Sequence, residues 1–265
     1  MTPLSPDQIR AGLTTHVGRV REHNEDHALA GERVFVVADG MGGHAAGEVA
    51  SKIAATTVAE LDGIPQLSRE DVIRQVGAAN ERILAAAEAP EQRGMGTTAT
   101  GLALVSAAGT DHWVVFNVGD SRVYRYADDR LSQVTIDHSE VHELLEAGRI
   151  SPAEARVHPA RNVVTRSLGQ DPTVVPDVWV FPPEPGERFL LCSDGLSNEL
   201  DADEIEHLLR ANPDPQEATD ALVRAAVGAG GRDNVTAMVV AFERAGAREV
   251  ESDTAPRAVG RAQGT

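Results

Sequence analysis

The chain has 265 residues, 42% hydrophobic and 25% charged, an ordinary globular mixture long enough to bury a core and far from disordered or fibrous compositions. Lys plus Arg number 24 against 41 Asp plus Glu, a formal charge of −17, so a polynucleotide would meet general repulsion and nucleic acid is not an expected partner. A single cysteine, Cys192, rules out an intrachain disulfide and a multi-thiolate zinc site, and fits the cytosol.

Residues 1–10 are polar, unlike the apolar centre of an export signal. No apolar run approaches the roughly 20 residues of a membrane-spanning helix. A soluble, cytoplasmic chain without a membrane segment is expected. In chain order, residues 34–38 form a short β-rich run, followed by Ala-rich residues 45–61 and by residues 71–88, both with apolar positions at helical spacing. Residues 97–105, 113–118, 122–126 and 131–135 follow as β-rich runs and predict an antiparallel meander. Between 137 and 169 the strand pattern gives way to a short helix near 141–147 and a capped start at Ser151-Pro152-Ala153-Glu154, which reads as an inserted flap. A strand at 189–192, helices at 203–210 and 215–227, and a last strand at 235–242 complete the chain. Residues 246–265 carry no apolar period and read as a mobile tail.

Four aspartates recur in one setting. Asp39, Asp120 and Asp194 end apolar runs, and Asp233 opens one after Gly231-Arg232. Each alone is an ordinary turn residue; together they would place several carboxylates at the rim of a buried sheet, where they need cations. Arg122 and Arg232 are the only basic side chains close to these motifs. Divalent ions are the simpler solution, and all-oxygen ligation selects hard ions such as Mg²⁺ or Mn²⁺. Arg21, in Arg21-Glu22-His23-Asn24-Glu25-Asp26, offers a two-pronged grip on phosphate oxygens. The glycines of Asp39-Gly40-Met41-Gly42-Gly43 either bring the backbone, including the Gly40 carbonyl, close to an ion or make a plain strand-to-helix turn. Gly94-Met95-Gly96-Thr97-Thr98-Ala99 fits a dinucleotide fingerprint only formally, because it precedes a strand-like run rather than a helix. Cys192 reads as a buried hydrophobe, since no arginine follows to cradle a phosphate. His138 and His142, four apart, read as a solvent-facing pair on one helix face.

These segments resemble the metal-dependent type 2C protein serine/threonine phosphatases (the PPM family), especially the bacterial branch. The resemblance rests on Arg21 to Asp26, Val37 to Glu48, Gly94 to Thr98, Asn117-Val118-Gly119-Asp120-Ser121-Arg122, Asp137-His138-Ser139, Cys192 to Leu196 and Arg232-Asp233-Asn234-Val235, in family order. It implies an α+β fold, a four-layer αββα sandwich of two antiparallel sheets flanked by helices. An N-terminal extension (1–11), a catalytic domain (12–243, flap about 137–169) and a flexible tail (244–265) are expected. Asp39 would bridge two Mn²⁺ or Mg²⁺ ions, with the Gly40 carbonyl on one and Asp194 and Asp233 on the other. Glu25 and Asp26 would hold metal-bound waters, Arg21 the substrate phosphate, and Asp120 with Asp194 a third ion.

The implied activity is hydrolysis of phosphoserine and phosphothreonine by a bridging water, without a phosphoenzyme. Phosphoproteins, serine/threonine kinases and their substrates are the implied partners of a monomeric signalling hydrolase. Two positions depart from the family pattern: Met41 stands where many members have a proton-donating histidine, and Asn162 where a flap serine contributes to the third ion. A phosphodiesterase would use similar carboxylates, but the negative charge disfavours its polynucleotide substrate.

Overall fold

The computed structural model describes residues 8–42, 45–107 and 109–243. The strands are β1 (Ile9–His16), β2 (Asp26–Ala30), β3 (Val34–Met41), β4 (Gly96–Thr97), β5 (Ala99–Ala107), β6 (Thr110–Val118), β7 (Arg122–Ala127), β8 (Arg130–Gln133), β9 (Asp177–Phe181), β10 (Arg188–Cys192) and β11 (Val235–Phe242). The helices are α1 (Ala45–Ala59), α2 (Arg69–Ala86), α3 (Glu140–Glu146), α4 (Pro152–Ala155), α5 (Asp194–Ser197), α6 (Ala202–Ala211) and α7 (Pro215–Ala229). One antiparallel sheet runs β1-β11-β10-β7-β8; the other runs β2-β3-β5-β6-β9, with β4 beside β3.

Alternation along the strands builds the layers. On β3, Val34, Val36 and Ala38 pack against Ala50, Ala54 and Val58 of α1 and Val72 and Val76 of α2. The intervening Phe35 and Val37 meet Leu191, Met238 and Val240 of the facing sheet. Leu190, Cys192 and Val239 turn the other way, against Leu209, Leu222 and Val223 of α6 and α7. Period-two strands with apolar residues on both faces require cover on both sides, and the result is the expected αββα sandwich. Ser68 and Asp71 start α2 with a reciprocal capping box, as do Asp201 and Glu204 for α6.

Three expectations are corrected. The meander divides: β5 and β6 pair in one sheet, whereas β7 and β8 pair in the other. The chain crosses at Gly119, whose φ of 110° is open to glycine and strained for other residues. β5 and β6 bury both faces and β8 is a short, mostly exposed edge strand, so neither kind of pattern encodes which sheet a strand joins. The His138–His142 pair does not face solvent from one helix: His138 is only 7% exposed and precedes Ser139, the N-cap of α3. Its Nδ1 accepts from the Gly119 amide at 3.0 Å and its Nε2 lies 3.2 Å from Asp177. Finally, β1, β2 and β9 have no counterpart in the sequence reading, and β1 takes up residues 9–11, with Ile9 opposite Phe242. The expected tail, 244–265, lies outside the described residues.

Candidate metal centre

The sheets' common end carries the acidic motifs. Asp26 and Asp39 are register partners across β2 and β3. Asp120 lies just after β6 in the crossover, Asp194 opens α5, and Asp233 lies just ahead of β11. Asp39, Gly40, Asp120, Asp194 and Asp233 line one cleft of about 390 Å³ together with Arg21, Glu25 and Asn162. Asp26 is buried beneath it, where Ser193, just after β10, and Thr236 of β11 donate to its Oδ2 at 2.8 and 2.6 Å.

The supports are mostly polar neighbours to which the sequence reading gave no role. Thr98 Oγ1 accepts from the Asp39 amide at 2.9 Å and shares a hydrogen bond of 2.8 Å with Ser121, next to Asp120. The Thr98 amide and the Thr97 hydroxyl both donate to the Asp39 carbonyl. Asn234 Oδ1 accepts from the Glu25 amide, and its Nδ2 donates to the Val17 and His23 carbonyls. That one side chain therefore ties the segment carrying Arg21 and Glu25 to Asp233. Gly40 donates to the Glu25 carbonyl, and a Cβ on it would fall 2.2 Å from the Gly47 carbonyl oxygen, so only glycine lets α1 approach this closely. Such supports are visible in the sequence only as Thr-Thr and Asp-Asn pairs inside the motifs.

Few cations balance this charge. Arg122 is taken up by Asp137 at 2.6 Å, and Arg232 by Glu199 at 2.9 Å. Arg21 donates to Asp233 Oδ2 at 2.7 Å while its side chain stays half exposed. Burial, then repulsion from Asp26, Asp194, Asp120 and Asp233, holds the Asp39 carboxyl well above the usual range. Burial and the charges of Asp194 and Asp137 push Asp120 up to about 8. Burial raises Asp26 to about 7 against the hydrogen bonds of Thr236 and Ser193. Asp194 is raised by burial and by Asp233, and Glu25 chiefly by burial.

Among the described residues, no three His, Cys, Asp or Glu side chains are preset around a single point to hold an ion; the donors are gathered without being closed up. Their chemistry nevertheless fits hard divalent ions. They are carboxylate oxygens crowded together without enough cations, and buried Asp26 Oδ1 has no hydrogen-bond partner. Replacing Thr98 by valine keeps its shape and removes the oxygen shared by Asp39 and Ser121. We expect Mn²⁺ affinity to weaken about 10- to 100-fold in T98V and to be retained in T98S, measured by calorimetric titration of the ion.

An αββα sandwich with a carboxylate cleft at one end of its sheets is the architecture of metal-dependent phosphoprotein phosphatases. The family model for protein phosphatase 2C matches residues 18–225. The protein phosphatase PhpP of Streptococcus pneumoniae is 35% identical over 246 residues, 88% of this chain and 98% of its own length. The crystal structure of the Mycobacterium tuberculosis serine/threonine phosphatase PstP/Ppp superposes with a TM-score of 0.83 at 37% identity, covering 89% of this chain and 99% of that one. A structure of the PstP catalytic domain in complex with 2 manganese ions gives 0.81 at 36% identity, over 89% and 99% of the two chains. The chain belongs to the protein phosphatase 2C family and to its bacterial branch, and is a serine/threonine phosphoprotein phosphatase.

Proposed function

We propose that this chain hydrolyses phosphoserine and phosphothreonine in a single transfer to water, with two divalent ions held by Asp39, the Gly40 carbonyl, Asp194 and Asp233. The observation that carries this reading is the convergence on one cleft of carboxylates from five separated segments, with Arg21 at its mouth. Mn²⁺ or Mg²⁺ held by these residues would supply Lewis acidity and lower the pKa of water in the cleft, making a nucleophile available near neutral pH.

The chain's own groups do the rest. Arg21, aimed by Asp233, grips the phosphate and neutralises charge growing on its equatorial oxygens. Glu25 and Asp26 accept hydrogens from water in the cleft and keep it oriented. Cys192 takes no part: it is buried and its thiol is pushed up to about 12, which supports transfer without a cysteine intermediate. With Met41 beside the cleft, His23 is the imidazole among its lining residues.

Asp120 with Asp194 would take a third ion, with Asn162 lining the same cleft. The same reading includes a catalytic unit spanning 12–243, a monomer acting in the cytoplasm, and kinases and their substrates as partners. No helix among the described residues is long and apolar enough to cross a membrane. Phosphate release from a phosphothreonine peptide should require added Mn²⁺ and stop with chelator. Release that ignores chelator, or faster cleavage of an oligonucleotide, would refute the proposal.

A further inference from the structure

A larger groove, of about 720 Å³, adjoins the metal cleft between the flap and the α5–α6 segment. Asp120 and Asp194 line both spaces, so a chain whose phosphate sits in the cleft has the groove as its neighbouring path. Leu131, Ile136, Val141, Leu145 and Leu200 contribute apolar surface to it, and Ile136 is 47% exposed.

The charged groups along the groove are mostly committed. Asp137 holds Arg122, and Glu199 holds Arg232. The Asp201 and Glu204 carboxylates each accept a backbone amide of the other's residue. Two cations are left over: Arg156 and Arg161, both exposed, have no acidic partner among the described residues. His142 Nε2 is also buried in the wall without a hydrogen-bond partner; the closest carboxylate oxygen, of Glu146, is 3.9 Å away. Asp201 and Glu204 keep their negative charge, but their carboxylates are already engaged by backbone amides, so away from the metal ligands Arg156 and Arg161 are the charged side chains of this groove open to a new partner.

We infer that this groove binds the stretch of substrate polypeptide flanking the phosphorylated residue, and that it selects stretches carrying an acidic side chain close to an apolar one. The acid would meet Arg156 and Arg161, and the apolar side chain the surface of Leu131, Val141 and Leu145. The assignment rests on the phosphatase reading of the adjoining cleft and adds the sequence preference of its substrate.

The test is steady-state kinetics of the Mn²⁺-loaded protein on phosphothreonine peptides of equal length, with acidic and apolar, all-alanine or lysine flanks, alongside p-nitrophenyl phosphate, too small to reach the groove. The acidic–apolar peptide should show a KM about tenfold below the alanine peptide at similar kcat. In R156E, the ratio of its kcat/KM to that of p-nitrophenyl phosphate should fall about tenfold, and the lysine-flanked peptide should gain. Equal kcat/KM for all flanks with normal p-nitrophenyl phosphate turnover, or an unmoved ratio in R156E, would overturn the groove assignment alone. No phosphate release from any of these substrates would overturn the reading of the cleft, and the groove with it.

Discussion

Asp39→Asn is expected to cut manganese-dependent phosphate release by at least about a hundredfold, more than loss of a supporting hydrogen bond would do. Asp39 feels all of the neighbouring aspartates: Asp26, Asp194, Asp120 and Asp233 each raise its pKa on top of burial. An amide of the same shape keeps the packing and the backbone bonds to Thr97 and Thr98, but it removes the charge that, in the proposed function, Asp39 offers to two ions. The same change relieves repulsion in the absence of metal. The variant should therefore unfold at a higher temperature than the parent in chelator, and gain less from Mn²⁺. This opposed pair of effects separates a ligand from a residue needed only for folding, whose loss would lower both stability and activity. Near-normal turnover, or a lower melting temperature in chelator, would remove Asp39 from its assigned role.

The second large effect concerns pH. Asp26 and Asp120 lie at about 7 and about 8, against an ordinary value of 3.8, and Asp39 and Asp194 are raised in the same direction. Between the ordinary value and the raised one, the folded chain binds more protons than the unfolded chain. The stability slope with pH is then negative. The contribution of these groups is fully present below about pH 4 and is lost as pH rises through 7 to 8. In chelator, the melting temperature should accordingly fall from pH 5 to pH 8. Mn²⁺ competes with protons for the same oxygens, so its stabilisation should be small at pH 5 and large at pH 8. Differential scanning calorimetry at several pH values, with and without the ion, measures both slopes. A melting temperature in chelator that rises over this range, or a manganese gain independent of pH, would contradict the electrostatics of the cleft.

Much of the fold was legible along the chain. The α1 and α2 helices could be read from apolar spacing, with observed bounds Ala45–Ala59 and Arg69–Ala86, and β10 and β11 from short apolar runs. Of the three strands that went unread, two have weak patterns: β1 is Ile-Arg-Ala-Gly-Leu-Thr-Thr-His and β2 only Asp-His-Ala-Leu-Ala, whereas β9, Asp-Val-Trp-Val-Phe, is a β-rich run that was passed over. β1 and β2 are edge strands, covered on one side and completed by backbone pairing with β11 and β3, so their own side chains need carry little apolar signal.

The order of the acidic motifs, their residue types and the shortage of nearby cations are properties of the linear chain, because ligand chemistry and formal charge depend on which residues are present. The division of the central strands between two sheets, the Thr98–Ser121 and Asn234 supports, the burial of His138 and the groove beside the flap arise from contacts between distant segments. Local propensity acts over a few residues, whereas sheet membership and the pairing of buried polar groups are settled by what the remainder of the folded chain places opposite each side chain.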